Sequence, residues 1–168
     1  QIEGLHERLI RLHGGQDLTR LPCFTDYSLV QLTAEVGTDM SRWHTHKHFT
    51  SWLGLAPGSH QSGKKRRSNR QFIGPAGRIF CMIAQSIARS RYLALGGFYR
   101  RLAGKYGGKV AIVAAARKLA ILYYNALRYG MQYVEQGLEQ YETQYKAQSM
   151  KRLRKAARVF GMDLTPSL

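Results

Sequence analysis

Acidic residues are missing from the middle of this sequence. Between Asp39 and Glu135 there is no Asp or Glu, and over the whole chain 26 Lys and Arg stand against 10 Asp and Glu, for a net charge of +16. The middle stretch therefore lacks the carboxylates from which proteins build Mg²⁺ sites. Its excess of cations favours a polyanionic partner, and nucleic acid is the usual one.

Long apolar runs and cysteines are also scarce. No stretch approaches the roughly 20 uninterrupted apolar residues of a membrane span, and no signal-peptide pattern opens the chain. Cys23 and Cys81 lie far apart in apolar surroundings, which indicates two buried thiols and no disulfide. We expect a soluble, cytoplasmic protein with no membrane partner. Because the sequence starts at Gln1 without an initiator Met, we also expect it to be a piece of a longer protein.

The apolar residues recur at helical spacing, and no strand pattern or internal repeat stands out, which predicts an all-α fold. Residues 1–16 are predicted to be the end of an upstream coiled-coil helix, stopped by Gly14 and Gly15. Further helices are predicted at 47–55, from Pro75 onward, at 110–129 and at 141–160, the last of them strongly basic.

Residues 17–43 predict two short helices separated by Pro22, with Asp26 as the N-cap of the second helix and Gly37 as its end. This layout is typical of a helix-hairpin-helix, which offers backbone N–H groups to phosphate. An ordinary helical hairpin fits the pattern equally well.

Residues 57–70 are rich in Pro, Gly, Ser and Asn without apolar periodicity, which predicts a loop. Ser62 lies in this segment, followed by Gly63 and a basic run. A phosphoryl-transfer nucleophile needs an unobstructed hydroxyl beside cations that hold the phosphate. The alternative is a solvated basic patch that touches phosphates nonspecifically, with Ser62 as loop filler. The pattern alone leaves both interpretations open.

Other cations are candidates for phosphate contact. Arg100 and Arg101 adjoin Phe98 and Tyr99, an interleaving that suits backbone contact and base stacking, although such aromatics are often core residues. The predicted nucleic-acid-binding residues are Lys64, Lys65, Arg66, Arg67, Arg70, Arg78, Arg100, Arg101, Arg117 and Lys118.

Histidines and tyrosines give weaker signals. His44, His46 and His48 alternate as metal ligands sometimes do, but no second ligand type lies near, which favours phosphate contact or exposed surface. We therefore predict no metal and no cofactor in this chain. Four tyrosines in the second half are interpreted as packing residues with polar tips, namely Tyr123, Tyr124, Tyr129 and Tyr133.

Several segments, taken in order, resemble the C-terminal domain of the bridge-RNA-guided insertion-sequence transposases, the one-ten and eleven-eleven groups. The similarity covers about residues 18–133 and rests on Leu32-Thr33-Ala34-Glu35-Val36-Gly37, Phe49, Leu53-Gly54-Leu55-Ala56-Pro57, Gln61-Ser62-Gly63-Lys64, Phe98-Tyr99-Arg100-Arg101-Leu102, Ala115-Ala116-Arg117-Lys118-Leu119-Ala120, Leu127, Gly130 and Tyr133. It implies a transposase domain at 17–133, with a helix-hairpin-helix-like start and a serine loop at 57–70. A basic helical tail follows at 134–168.

The resemblance implies that Ser62 is the nucleophile that attacks DNA and forms a phosphoserine link. It further implies a partner RuvC-like domain, outside this sequence, whose four acidic residues hold Mg²⁺. The composite site would form between protomers of a homo-oligomer, guided by a noncoding bridge RNA, so this chain alone would be inactive. The alternative function is a noncatalytic nucleic-acid-binding helical module.

Two features depart from the family's pattern. Its hairpin turn tends to carry glycine after Pro22, where Cys23 and Thr25 stand here. The run after Gly63 is unusually basic, and Ser59 and Ser68 remain fallback nucleophiles.

Overall fold

The computed structural model describes residues 4–57, 60–62, 65–67, 72–90 and 92–165, with the backbone alone at 60–62 and 65–67. The helices are α1 (Leu5–Leu12), α2 (Asp26–Val36), α3 (His46–Trp52), α4 (Pro75–Ala84), α5 (Leu93–Tyr106), α6 (Gly108–Tyr129) and α7 (Met131–Val159). Single 3₁₀ turns lie at Leu18–Arg20 and Ile87–Arg89, and two short strands are β1 (His60–Ser62) and β2 (Lys65–Arg67). The predicted all-α class is confirmed. Strands β1 and β2 form a hairpin and are the only strands of the described residues.

Helix α6 is the centre of the fold, and α3, α4, α5 and α7 all pack against it. It begins two residues before the predicted start at 110 and ends at the predicted residue 129, between the glycines Gly107 and Gly130. Alanines such as Ala111 and Ala115 are fully buried, and their small side chains let neighbouring helices approach closely. Two turns further on, the buried Leu119 and Tyr123 fill the wider part of the core.

Aromatic rings join the helices around α6. The rings of Phe24 and Tyr123 stack with centroids 6.0 Å apart, and Phe80 meets Tyr123 edge-on at 5.6 Å. Phe49 from α3 contacts Phe80 edge-on at 6.2 Å. Since Phe49 and Phe80 are fully buried, these contacts bind α3 and α4 to the central helix.

The N-terminal part differs from its prediction in two ways. The first of the two short helices is a three-residue 3₁₀ turn, and the N-cap of α2 is Thr25, not Asp26. Thr25 and Ser28 form a capping box, in which the backbone N–H of each donates to the other's hydroxyl, at 3.0 and 3.2 Å. These two N–H groups are bonded within the chain and are therefore not offered to phosphate. The helix-hairpin-helix stays a prediction. Cys23 has a φ of 68°, the left-handed conformation in which glycine is favoured.

Helix α7 begins at Met131, ten residues before the predicted start. Its first turn is held by the rest of the fold, since the Met131 N–H donates to the Gln16 side chain at 2.9 Å. One turn later Glu135 forms an ion pair with Arg20 at 2.6 Å. These contacts extend the helix through a stretch in which the sequence pattern alone is weak.

By length and composition one helix of the described residues, α6, could cross a membrane. However, 44% of its most apolar window is buried inside the fold. Because four other helices pack around it, α6 has the surroundings of a core helix.

His6 links α1 to α2, and we predict that its protonation stabilises this contact. Its Nδ1 lies 2.8 Å from Asp26, and its Nε2 lies 3.9 Å from Asp17. The hydrogen bond to Asp26 raises the pKa of His6 above the ordinary 6.5, so the stabilisation is full below 6.5 and is lost as the pH rises through the folded-state pKa. A residue-specific NMR titration should give a His6 pKa above 6.5, and Asp26→Asn should lower it.

The buried His13 titrates in the opposite sense. Burial lowers its pKa, so its protonation disfavours the folded state as the pH falls below 6.5. A global melting curve would mix the two effects, and the informative quantity is the difference between wild type and His6→Gln. A His6 pKa at or below 6.5 would contradict the proposed link.

Candidate nucleic-acid interface

The serine-bearing segment contains a β-hairpin, so the prediction of a loop throughout 57–70 is wrong for two three-residue stretches. The strands are antiparallel, and Ser62 lies opposite Lys65. His60 lies opposite Arg67, and Gln61 opposite Arg66. Residues directly opposite each other in such a pair occupy the same face of the hairpin. The backbone thus places the predicted nucleophile and one predicted phosphate contact at neighbouring positions.

A tight crossing of the chain fixes the base of this segment. The backbone at Gly54 passes so close to Phe72 and Ile73 that a Cβ on Gly54 would overlap the Phe72 carbonyl group. Gly54 also has a φ of 75°, in the region that favours glycine. Nearby, the Gly74 N–H donates to the Leu53 carbonyl at 3.3 Å. The two ends of the segment are consequently held together by the core.

Arg78 lies at this base, on the first turns of α4. Its Nε donates to the Ile73 carbonyl at 3.3 Å, and its guanidinium carbon lies 5.6 Å from the Phe72 ring centroid. Phe72 is 76% exposed, which is unusual for so large an apolar side chain. A cation held over an exposed aromatic ring suits contact with a nucleic-acid strand.

A second cluster joins α5, α6 and α7, and we call it the aromatic–lysine cluster; its members are Phe98, Arg101, Lys118 and Tyr141. The Lys118 ammonium lies 4.5 Å from the Phe98 centroid and 4.6 Å from the Tyr141 centroid. The Arg101 guanidinium carbon lies 5.9 Å from the Phe98 centroid. Burial lowers the pKa of Lys118, and the nearby Arg101 charge lowers it further. An anion at this place would relieve the repulsion between the two cations.

The remaining predicted cations are dispersed. Arg100 is exposed, and its guanidinium donates to the Ala88 carbonyl at 3.3 Å. Arg117 lies on α6 and is half-buried. Arg66 and Arg67 lie on β2. The described residues do not include Lys64, Arg70, Ser59 or Ser68.

The described carboxylates that form ion pairs do so with groups other than these cations. Their ion pairs are those of His6 with Asp17 and Asp26, and that of Arg20 with Glu135. Glu142 accepts from the Ala94 N–H at 2.9 Å, at the start of α5. None of the predicted cations with a described side chain, Arg78, Arg100, Arg101, Arg117 and Lys118, pairs with a carboxylate, which is typical of phosphate-binding surfaces.

A comparison with protein-family models identifies the family of this chain. The model of the transposase IS116/IS110/IS902 family matches residues 15–100, just over half of the 168 residues. The chain belongs to this family. No curated protein and no solved structure matches it. The resemblance inferred from the ordered motifs is thus confirmed, and a transposase acts on DNA.

The family match divides the transposase surface into two parts. Residues 15–100 include the hairpin, the Gly54 crossing and Arg78, together with Phe98 from the aromatic–lysine cluster. Arg101, Lys118 and Tyr141 lie beyond it. Sequence reasoning had missed Tyr141, and no local signal could have found it, because its place beside Lys118 depends on how α7 packs on α6.

The transposase tyrosines separate into buried and exposed pairs. Tyr123 and Tyr124 are buried as predicted, and the Tyr124 hydroxyl donates to the Trp43 carbonyl at 2.9 Å. Burial raises the pKa of Tyr123, which makes its phenolate costly. Tyr129 and Tyr133 are exposed, with ring centroids 5.4 Å apart.

The alternating histidines of the transposase do not converge on one point. The His44 and His48 rings lie 6.4 Å apart, His48 contacts the Thr45 hydroxyl at 2.9 Å, and His46 packs against Tyr124. Within the described ranges, no group of three or more His, Cys, Asp or Glu side chains is placed to hold a metal ion. Cys23 and Cys81 are half-buried free thiols, and burial raises the pKa of each.

Proposed function

We propose that this chain is the C-terminal catalytic part of a bacterial insertion-sequence transposase, which supplies Ser62 as the nucleophile for DNA strand cleavage and exchange. One observation carries the proposal. Ser62 stands opposite Lys65 on a hairpin within the stretch that matches the family model. Because the core holds both ends of that segment together, the hairpin is attached to a rigid base.

The chemistry conserves the number of phosphodiester bonds. The Ser62 hydroxyl oxygen attacks a DNA phosphorus, and its proton passes to solvent or to a nearby general base. One sugar oxygen leaves the phosphorus and takes up a proton. The strand end is then held as a phosphoserine ester. Attack by another strand's free sugar hydroxyl reverses the step and releases Ser62, so no external energy source is needed. Lys65 and its basic neighbours would offset charge that grows on the phosphate.

The stretch between Asp39 and Glu135 has no Asp or Glu, which implies that any Mg²⁺ is held by residues outside it. We place it in a RuvC-like domain of the full-length protein, where it would polarise the scissile phosphate. The 168-residue chain on its own would then bind nucleic acid without recombining it. A guide RNA, assembly as a homo-oligomer and a cytoplasmic location are further parts of this proposal, supported by the basic surface and the family resemblance.

The second candidate is a noncatalytic nucleic-acid-binding module. The large cationic excess favours it, since cations without carboxylate partners are sufficient for backbone binding. In this function the hairpin would position a duplex, and another part of the transposase would perform the chemistry.

A covalent adduct distinguishes the two functions. Full-length transposase is incubated with substrate DNA, denatured and digested with protease, and the DNA-linked peptides are sequenced by mass spectrometry. We expect a phosphodiester link on Ser62 that is absent from a Ser62→Ala sample treated identically. Binding without any serine adduct, and with the steep salt dependence of phosphate contacts, would instead establish the noncatalytic module.

A further inference from the structure

A cavity of about 430 Å³ opens between α6 and α7, beside the aromatic–lysine cluster. Helix α6 lines it with Lys118, Ile121, Leu122 and Asn125, which share one face at helical spacing. The volume lies in the range of small-molecule sites, and most of the lining is apolar with a few polar groups. The cavity is separate from the serine hairpin, and no step of the proposed strand exchange uses it.

Gly137 lines the cavity from the middle of α7. Among common residues only proline is less favourable than glycine inside a helix, so its presence there calls for a reason. Packing does not supply one, because a Cβ on Gly137 would meet no atom within 4 Å. Gly137 is an exposed residue of the cavity lining, so the missing side chain leaves this part of the opening uncovered.

The polar groups that line the cavity can recognise a base edge. Asn125, Gln136 and Gln140 each carry an amide, which offers a donor pair and an acceptor. Bases that are not paired present donors and acceptors of the same kind, and amide side chains commonly read them. Tyr133 and Tyr141 supply aromatic rings on which a base can stack.

Cations at the rim would hold the adjoining phosphate. Lys118 lines the cavity, and Arg101 lies near the same Phe98 ring. No carboxylate of the described residues forms an ion pair with either cation. Apolar walls, amides, stacking rings and free cations occur together in sites for single-stranded nucleic acid.

We propose that the cavity between α6 and α7 binds an unpaired nucleobase of a single strand, with Lys118 and Arg101 on the phosphate beside it. The inference rests on the proposed nucleic-acid function and adds a second contact site, distinct from the hairpin. A buried apolar helix of a protein partner is a poorer fit, because two cations and three amides would then need partners in a desolvated interface.

Photocrosslinking tests the site directly. Full-length transposase is irradiated with a single strand that carries 5-bromouracil, which couples to aromatic side chains that it touches. One arm uses DNA and the other RNA, so that the two sources of an unpaired base are distinguished. We expect crosslinked peptides that contain Tyr133 or Tyr141 in at least one arm, and none there when the same base is paired in a duplex.

Two matched glycine variants test the cavity itself. Gly137→Leu adds a large side chain to the exposed edge of the cavity and should lower the crosslink yield at Tyr133 and Tyr141 by about tenfold, the scale of a lost stacking contact. Gly104→Leu makes the same change at an exposed position of α5, where a Cβ also meets nothing, and should leave that yield unchanged.

The possible outcomes separate this inference from the proposed function. Crosslinks only outside α7, or an undiminished yield in Gly137→Leu, overturn the base site, while a Ser62 adduct in the same preparation would leave the transposase function standing. A protein that binds neither strand nor duplex overturns both. Because the wild-type crosslink map is read independently, misfolding of Gly137→Leu would not rescue the inference.

Discussion

Replacement of Ser62 by alanine is expected to abolish strand exchange by the full-length transposase. Loss of a covalent nucleophile removes the only route to the phosphoserine intermediate, and we expect a fall of at least about 10³-fold in rate, in line with other nucleophile deletions. DNA affinity should change little, because the phosphate contacts are made by cations. Strand exchange on a supercoiled substrate and DNA binding should be measured on the same preparation.

The neighbouring serines provide the control for this prediction. Ser59→Ala and Ser68→Ala remove hydroxyls from the same basic segment and should retain strand exchange. If Ser62→Ala remained active while one of these variants lost its activity, the nucleophile would be the other serine. Retained exchange by all three variants would leave the noncatalytic module as the function of this domain.

The helical fold class and the bounds of α6 could be predicted from the sequence, but the start of α7 could not. The apolar pattern and the flanking Gly107 and Gly130 gave α6 nearly its observed bounds. Helix α7 was predicted too short, since Gly137 and a run of polar residues weaken its local pattern. Tertiary contacts decide its start, in which Gln16 accepts from the Met131 N–H. The domain boundary predicted at 133 and 134 consequently falls within a continuous helix.

The sequence predicts which residues form the proposed site, but it does not predict how they are arranged. The assignment of Ser62 as the proposed nucleophile followed from the order of the motifs along the sequence. The hairpin was missed because its three-residue strands are too short and too basic to show alternation. The sandwich of Lys118 between Phe98 and Tyr141 joins residues 20 and more positions apart on three helices, and only helix packing brings them together.

Gly54 contributes both to the fold and to the position of the proposed nucleophile. Its position before the serine segment, and its contact with Phe72 after that segment, make it the closing point of the loop. A hairpin of two three-residue strands has little stability of its own, so its orientation depends on this base. A substitution at Gly54 should therefore affect both stability and strand exchange.

Gly54→Ala is expected to destabilise the transposase strongly. The left-handed backbone costs about 1–2 kcal/mol for a residue with a Cβ, and displacement of the packed Phe72 backbone adds about 1–3 kcal/mol. Melting temperature is the first measurement. The second is the Ser62 adduct yield at a temperature where the variant is still folded, which should fall because the hairpin base has shifted.

Gly37→Ala separates backbone strain from steric overlap. Gly37 has a φ of 77°, close to that of Gly54, but a Cβ there would meet no atom within 4 Å. With a ψ of −169°, Gly37 lies in a positive-φ region that almost only glycine adopts, so this variant should lose only backbone strain, about 1–3 kcal/mol, and should keep its adduct yield. Equal falls in melting temperature for the two variants would mean that the chain crossing at Phe72 contributes nothing. A full adduct yield in folded Gly54→Ala would show that the hairpin does not depend on this base for its position.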